Sequence, residues 1–303
     1  MIKACVIGLS KIGLIHCESL KKIHQTQLTY VFDNNFKLGN KIAKKYKCNT
    51  AKNFSDILKI KDIKLFIVAT PTNTHEHYIR KLIAHNKMIY CEKPILMNNK
   101  KLGALIKRIK SKKIKICIGL NRRFSNIYIK MKKIIKDKKI ERIQIISRSF
   151  NINVEQSVRN GGLFMDKGFH FFDLACWLTS SSPRKIITIA EPLSTKEYLE
   201  RKDYSDAIIN MKLKNNILVE FVFGRKCRFG QVEQIKIIGK DFEINSDNYF
   251  NKKYLNSSWD IMHKDTYYKC LKAFIKNGRE YLLNEGILVQ KICDTTLKSA
   301  QKN

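Results

Sequence analysis

The chain has 303 residues, of which 44% are hydrophobic, and its formal net charge is +33 at pH 7. This length and apolar content favour two domains of ordinary size over one large core. No segment approaches the roughly 18 continuous apolar residues of a membrane-spanning helix, and the N-terminus lacks a secretory-signal pattern. We therefore expect a cytoplasmic protein with no membrane partner. The nine cysteines form no CxxC pair and no metal-like spacing, which favours reduced thiols and no metal.

The positive charge allows two interpretations. A strongly basic chain can bind nucleic acid or an anionic surface without sequence preference. Here the lysines are spread along the whole chain and accompany frequent Ile and Asn, which share A/T-rich codons with Lys. There is no nucleic-acid-binding motif and no basic tail. We attribute most of the charge to base composition and expect no nucleic-acid partner, while selection for an anionic substrate stays open.

The first 119 residues alternate short β-branched runs with longer segments of helical periodicity. Strands are predicted at 2–8, 27–33, 64–69, 88–91 and 114–119, and helices at 11–22, 36–46, 74–86 and 98–111. This alternation is typical of a doubly wound α/β domain with a parallel sheet. In such domains ligands bind beyond the carboxyl ends of the strands.

The turn after the first strand has the spacing of a phosphate-binding loop. It runs Gly8-x-Ser10-x-x-Gly13, with Lys11 and Ile12 opening the first helix, whose N-terminal amides can hold phosphate. The middle glycine of the usual motif is replaced by Ser10. Asp33 ends the next strand, where it could bind both adenosine ribose hydroxyls and would repel a 2′-phosphate. The pattern indicates a Rossmann domain over residues 1–119 that binds NAD in preference to NADP.

Two further segments carry groups suited to alcohol oxidation. Removing hydride from a secondary alcohol requires a base of near-neutral pKa at the hydroxyl, and histidine suits this task. Asp166 and His170 lie four residues apart on a predicted helix, so the carboxylate can orient the imidazole. Lys93, in the segment Cys91-Glu92-Lys93-Pro94, can stabilise the developing alkoxide by its charge. Each residue also has a structural alternative: Lys93 could be a surface lysine, Asp166 a helix N-cap, and His170 a histidine of the core.

These segments together resemble the Gfo/Idh/MocA oxidoreductase family. The resemblance rests on the EKP segment at 92–94, on Asn121-Arg122-Arg123-Phe124, and on the stretch from Gly161 to Asp173, which contains DxxxH after paired glycines. Within the family the chain is most similar to inositol dehydrogenases, which also carry a segment like Cys227-Arg228-Phe229-Gly230. It is shorter than we expect for those enzymes, and Lys167-Gly168 replaces bulkier residues.

The resemblance implies roles for individual residues. It implies that Lys93, Asp166 and His170 are catalytic, with the histidine as base, and that Asn121 and Arg122 contact the substrate. The cofactor pocket would be lined by Thr70, Pro71, Asn73, His75, Glu92 and Lys93 in addition to the glycine turn. We expect Glu92 to fix its loop. Asp173 is expected to support the catalytic residues from behind or to pack in the core. Arg123 is expected to contact substrate or to form an inter-domain salt bridge. His75 and His77 point apart on a helix, so they predict no metal pair.

The second half predicts an α+β domain over residues 120–303 with an open, largely antiparallel sheet. Strands are predicted at 140–150, 184–190, 204–213, 217–224, 232–239 and 241–245, with a hairpin turn at 214–216. The segment from His263 onward is predicted to be helical, and it could pack back on the first domain. In the resembled family one sheet face carries the active-site helix and the other forms oligomer contacts, which implies a homo-oligomer, either a dimer or a tetramer.

The sequence thus predicts an NAD-dependent dehydrogenase that oxidises a ring hydroxyl of an inositol or related sugar. One alternative keeps the fold and changes the substrate to a nucleotide sugar of a surface-glycan pathway. Another is a non-catalytic NAD-binding sensor, against which the joint presence of Lys93, Asp166 and His170 argues.

Overall fold

A computed structural model of the protein describes residues 1–97, 99–149, 153–227, 231–249, 259–278 and 281–302. The chain divides into two compact units. Unit 1 comprises Met1–Asn121 and Asp265–Ile287, and unit 2 comprises Arg122–Lys264 and Leu288–Asn303. Within the described ranges, no helix has the length and apolar character needed to cross a membrane.

Unit 1 is built on a parallel sheet flanked by helices. Its elements are β1 (Ile2–Ile7), α1 (Lys11–Lys22), β2 (Thr26–Phe32), α2 (Phe36–Tyr46), α3 (Phe54–Lys59), β3 (Ile63–Val68), α4 (Thr72–Ala84), β4 (Met88–Cys91), α5 (Leu102–Ser111) and β5 (Ile116–Ile118). The strand order is β2-β1-β3-β4-β5, and every neighbouring pair is parallel. The doubly wound Rossmann domain predicted from the sequence is confirmed.

The strand order reverses at β1, which pairs with β2 on one side and with β3 on the other. The crevice beyond the carboxyl ends of β1 and β3 is therefore the topological switch point, where doubly wound sheets bind ligands. The central strands are continuous apolar runs because helices cover both faces of the sheet. Residues 4–7 and 65–68 are fully buried, and this core supports the loops at the switch point.

Unit 2 is built on a mixed sheet. Its elements are α6 (Asn126–Ile134), β6 (Ile140–Arg148), α7 (Val154–Arg159), a π-helical turn (Phe164–Gly168), α8 (Phe169–Thr179), β7 (Pro183–Glu191), α9 (Lys196–Glu200), β8 (Asp206–Leu213), β9 (Leu218–Gly224), β10 (Val232–Gly239) and β11 (Phe242–Asn245). Two further helices, α10 (Trp259–Asn277) and α11 (Leu283–Ala300), each contribute residues to both units. The strand order is β11-β10-β6-β9-β8-β7. Only β6 and β9 pair in parallel among the described strands of this sheet.

The predicted α+β domain with a largely antiparallel sheet is confirmed. The hairpin predicted at 214–216 joins β8 to β9, and Asn216 takes the left-handed conformation that the turn requires. Helix α8 packs on this sheet through aromatic side chains. The Phe172 ring meets the Phe221 ring edge to face at 5.1 Å between centroids, which fixes the helix that carries His170.

Several element boundaries differ from the prediction. The helices α3, α7 and α9 were not predicted because each has only five or six residues, too few to show a helical period. The predicted helix from 98 begins as an α-helix at Leu102, after a 3₁₀ turn over Asn99–Lys101. Residue 98, the end of the predicted strand at 150, and Arg228, Phe229 and Gly230 of the CRFG segment lie outside the described residues.

Candidate active site

The turn after β1 requires glycine at two positions. Gly8 has φ of +87°, and a Cβ atom there would lie 2.7 Å from the Ala69 carbonyl oxygen at the end of β3. A Cβ at Gly13 would lie 1.9 Å from the Gly8 carbonyl oxygen, so α1 can begin this close to β1 only with glycine at position 13. The two glycines bring the start of α1 to the switch point.

The first turn of α1 fits a phosphate group. It contains no acidic residue, and the exposed Ser10 side chain, at the N-cap, does not bond to the helix amides. Lys11 is also exposed there, and Ile12 is half-buried. The positive end of the helix dipole and its terminal amides favour an anion at this position.

Asp33 follows β2 beside this turn. Its Oδ2 accepts a hydrogen bond from the Leu9 amide at 2.9 Å, and Oδ1 accepts one from the Asn35 amide at 2.9 Å. A carboxylate has about four acceptor positions, so Asp33 retains capacity for ribose hydroxyls while it holds the turn. The glycine turn, the acid-free helix start and this carboxylate together fit an NAD molecule.

His75 joins the loop after β3 to the loop after β4. Its Nδ1 lies 2.8 Å from the Pro94 carbonyl oxygen, and its Nε2 lies 2.9 Å from the Thr70 carbonyl oxygen. Burial lowers the pKa of His75, so near neutral pH the ring is neutral and has one N–H to donate. The ring is enclosed by these two loops, whereas Pro71 and Asn73 are exposed and Thr70 is half-buried.

The segment 92–94 follows β4 and is held through Glu92. The Glu92 Oε1 lies 2.6 Å from Nε2 of His16, which is in the middle of α1, and both side chains are buried. A Cβ at Gly119 would lie 3.0 Å from Glu92 Oε2. These contacts tie Glu92 and its loop to α1. Lys93, between Glu92 and Pro94, is half-buried.

In unit 2, paired glycines open the segment that carries Asp166 and His170. Gly161 and Gly162 have φ of +97° and +78°. A Cβ at Gly162 would lie 2.5 Å from Oδ1 of Asp203, and this oxygen accepts a hydrogen bond from the Leu163 amide at 3.0 Å. The glycine thus lets Asp203 anchor the backbone three residues before Asp166.

Asp166 lies in the π-helical turn and His170 in the first turn of α8. Both residues are helical as predicted, but the turn that contains Asp166 is a π-helical turn, which is wider than an α-helical one. Such turns are frequent at functional sites. The Asp166 Oδ2 accepts a hydrogen bond from Arg225 Nη1 at 2.9 Å, and the arginine side chain is only 1% exposed, against 21% for the aspartate. One carboxylate oxygen of Asp166 is therefore fixed from the protein interior.

Lys167, the residue after Asp166, is buried. Its Nζ donates to Ser147 Oγ on β6 at 3.1 Å. Burial, followed by the charge of Arg225, lowers the pKa of Lys167 to about 7, although the charges of Glu233 and Asp166 oppose this effect. Burial of this lysine close to Arg225 and Arg122 disfavours its charged form and therefore destabilises the fold next to Asp166.

The residues of the NRRF segment are engaged inside the protein. Asn121 Nδ2 donates to Thr266 Oγ1 at 2.8 Å within unit 1. Arg122 Nη2 donates to Glu233 Oε1 at 2.9 Å within unit 2, and both Asn121 and Arg122 are buried. Arg123 forms a two-pronged ion pair with Asp173 at 2.6–3.0 Å. Both residues of this ion pair belong to unit 2.

The sequence did not identify four residues that position the candidate residues within each unit. They are His16 in unit 1 and Asp203, Arg225 and Glu233 in unit 2. Each acts on a residue distant along the chain, and Arg225 is one of 59 Lys and Arg residues. His16 gave one weak signal, as a polar residue between the apolar Ile15 and Cys17 of α1. In the described part of the chain, no three His, Cys, Asp or Glu side chains are grouped to bind a metal.

Comparison with known families identifies both halves of the chain. Residues 2–120 match the NAD-binding Rossmann fold of the oxidoreductase family, and residues 128–244 match the GFO/IDH/MocA C-terminal domain. The chain belongs to the Gfo/Idh/MocA oxidoreductase family. The resemblance predicted from the motifs is confirmed, as are the oxidoreductase class and the NAD-binding domain.

Curated members of the family are similar over almost the whole chain. An inositol 2-dehydrogenase of Rhizobium meliloti is 24% identical over 97% of this chain and 95% of its own length. A myo-inositol 2-dehydrogenase of Thermotoga maritima is 25% identical over 90% of this chain and 86% of its own length.

Solved structures of family members have the same fold. The myo-inositol 2-dehydrogenase of Lactobacillus plantarum has a TM-score of 0.90 at 19% identity, and covers 99% of this chain and 97% of its own. The scyllo-inositol dehydrogenase of Lactobacillus casei, solved with NAD(H) and scyllo-inositol, has a TM-score of 0.89 at 20% identity. It covers 100% of this chain and 98% of its own.

Proposed function

We propose that this member of the Gfo/Idh/MocA family oxidises a ring hydroxyl of an inositol or a closely related sugar with NAD. The observation that carries the chemistry is the placement of Asp166 and His170 four residues apart, with the aspartate fixed by Arg225. The substrate class is supported by relatives over nearly the whole chain that are named inositol 2-dehydrogenases.

The cofactor would be held at the switch point of unit 1. Gly8, Ser10, Lys11, Ile12 and Gly13 would contact the pyrophosphate, through backbone amides above all, and Asp33 the adenosine ribose. The loops carrying Thr70, Pro71, Asn73, His75, Glu92 and Lys93 would line the rest of the pocket. Bound NAD supplies the hydride acceptor. Asp33 supports NAD over NADP because its charge would repel a 2′-phosphate.

The proton would be handled by unit 2. His170 is the general base that takes the hydroxyl proton as the carbon–hydrogen bond is broken. Asp166 orients the imidazole and stabilises its protonated form. Arg225 holds Oδ2 of Asp166, and the carboxylate fixed in this way would contact the imidazole or a neighbouring substrate hydroxyl.

The developing alkoxide would be stabilised by Lys93. A fixed positive charge at this oxygen lowers the barrier most when it does not have to move during the reaction. Asn121 and Arg122 would shape the substrate site from fixed positions, since each is buried and bonded to Thr266 or Glu233.

Two further expectations belong to this proposal. A cytoplasmic location is expected from the sequence. Self-association into a dimer or tetramer is supported by the exposed Ile187, Ile189 and Ile208 on the neighbouring strands β7 and β8, since contiguous apolar surface of this kind marks interaction sites. The mass in solution, measured by light scattering, tests it, and a monomer at micromolar concentration would contradict it.

The substrate is tested by following NADH formation. Purified protein is given NAD or NADP with a panel of inositols, aldoses and nucleotide sugars, and the Lys93→Ala variant is the control. The proposal predicts NAD-dependent oxidation of an inositol that the variant lacks. Turnover of a nucleotide sugar alone would replace the substrate, and tight NAD binding without turnover of any compound would favour the sensor.

A further inference from the structure

Two buried histidines act on the two neighbours of Lys93 in the chain. On one side, His16 Nε2 lies 2.6 Å from the Glu92 carboxylate. On the other side, His75 Nδ1 lies 2.8 Å from the Pro94 carbonyl oxygen. The exposed fractions of His16 and His75 are 0% and 1%, so neither ring is accessible to a substrate or a cofactor.

His16 links Lys93 to the phosphate-binding turn. It lies on α1, the helix that begins at that turn, and its ring is packed edge-on against Tyr90 at 5.0 Å and Tyr267 at 5.7 Å between centroids. A ring held in this way has little rotational freedom. The short hydrogen bond between His16 and Glu92 therefore holds the Glu92 side chain at a fixed position relative to α1.

His75 links Lys93 to the loop after β3. Its second nitrogen, Nε2, lies 2.9 Å from the Thr70 carbonyl oxygen in that loop. The Cys91 sulfur lies 3.6 Å from its Nδ1 and adds a further neighbour at the end of β4. The ring thus spans the two loops that follow β3 and β4, and Pro94 cannot shift without breaking one of these contacts.

We propose that His16 and His75 are positioning residues that fix the backbone on both sides of Lys93 and thereby align its ammonium group for the reaction. This inference rests on the proposed role of Lys93. Each histidine ties the lysine to a different segment at the switch point, α1 or the loop after β3. Small displacements of a catalytic group cost large factors in rate, so the effect of losing either contact is on turnover.

The first test compares substitutions at His16. His16→Leu removes the donor to Glu92, whereas His16→Gln keeps a donor at nearly the same distance from the backbone. We expect kcat to fall about tenfold or more in His16→Leu and to be largely restored in His16→Gln, with NAD affinity within about twofold of wild type. His24→Leu is the matched control, because His24 is exposed just after α1.

The second test separates the two contacts of His75. The neutral ring donates its one N–H to either Pro94 or Thr70. An asparagine amide places an N–H at the Nδ1 position, facing the Pro94 carbonyl oxygen, and a glutamine amide places one at the Nε2 position, facing the Thr70 carbonyl oxygen. We expect kcat of His75→Asn to stay closer to wild type than kcat of His75→Gln, because the Pro94 contact is the one beside Lys93. His77→Leu is the matched control, since His77 is exposed two residues further along the same helix.

A double-mutant cycle distinguishes positioning from general structural support. If the histidines act through Lys93, His16→Leu or His75→Leu in a Lys93→Met background should lower the residual rate by less than about twofold. A full additional loss in that background would overturn the inference. If a leucine variant fails to fold, the same cycle is run with His16→Asn and His75→Gln, whose amides do not reproduce the contact beside Lys93, and additive losses there would overturn it equally.

The outcomes also separate this inference from the proposed function. If Lys93→Met turns over as fast as wild type, the proposed role of Lys93 fails and the inference fails with it. If Lys93→Met is inactive while folded His16→Leu and His75→Leu keep wild-type kcat, the proposed function stands and the positioning inference is wrong.

Discussion

Arg225 Nη1 donates to Asp166 Oδ2 at 2.9 Å, and this guanidinium comes from a position 59 residues further along the chain. The arginine lies directly after β9, which pairs with β6 through seven residue pairs. The mixed sheet of unit 2 therefore does more than support α8. It supplies the charge that fixes one oxygen of the proposed orienting carboxylate.

Replacing Arg225 by methionine should impair turnover more than cofactor binding. Without its partner, the Asp166 carboxylate loses the interaction that fixes Oδ2, so we expect kcat/KM for the polyol to fall by about tenfold to a hundredfold. Titration of NAD should give an unchanged Kd. The exposed neighbour Lys226 provides the control Lys226→Met, and equal losses in the two variants would contradict this role for Arg225.

The buried Lys167 should make stability depend on pH. Its pKa is about 7 in the folded protein and 10.5 in the unfolded chain. Between these values the unfolded state binds more protons, so this residue makes stability rise with pH. Well below pH 7 both states are protonated and the full cost remains. The groups that interact with it are Ser147 on β6, Arg225 after β9, Glu233 on β10, Arg122 and Asp166.

Lys167→Met should therefore raise the free energy of unfolding at pH 7 by about 1–4 kcal/mol. Its advantage over wild type should shrink as the pH rises from 7 towards 10, measured by urea unfolding at each pH. A variant that is less stable than wild type at pH 7, or an advantage that does not change with pH, would contradict the assignment.

Two glycine-to-alanine substitutions should have opposite effects. At Gly162 the positive φ and the 2.5 Å approach of Asp203 make alanine unfavourable, so Gly162→Ala should lower stability by about 1–3 kcal/mol. At Gly103, on α5, a Cβ would meet no atom within 4 Å. Gly103→Ala should therefore raise stability by about 0.5 kcal/mol. Thermal unfolding of both variants provides the comparison, and a Gly162→Ala variant as stable as wild type would count against this account of Gly162.

Asp33 should determine the choice between NAD and NADP. Removing its charge in Asp33→Ser takes away the ribose acceptor and the repulsion of a 2′-phosphate, so the preference for NAD should fall by about tenfold or more. The ratio of kcat/KM for the two cofactors measures it, with the exposed Asp56→Asn as control. An unchanged ratio would show that Asp33 only supports the turn through Leu9.

The features predicted correctly from the sequence are those with local patterns. The order of strands and helices follows from periodicity, and the glycine turn with Asp33 follows from fixed spacing along β1, α1 and β2. The helical placement of Asp166 and His170 was predicted for the same reason, from their spacing of four residues.

The residues that position the candidate residues within each unit could not be predicted in this way. The Arg122–Glu233 pair joins positions 111 residues apart, and His16 meets Glu92 over 76 residues. Such pairs depend on which strands become neighbours, and a charged residue in a chain this rich in lysine gives no local signal. The π-helical turn at Asp166 likewise has no period distinct from an α-helix in a segment of five residues.

The most direct test of the account is the turnover of His170→Ala with an inositol that the wild type oxidises. The account predicts that NADH formation falls by about a hundredfold or more, because the hydroxyl proton then has no positioned acceptor. It also predicts an unchanged Kd for NAD, since the nucleotide is proposed to bind unit 1. Wild-type turnover in His170→Ala would contradict the assignment of His170 as the base.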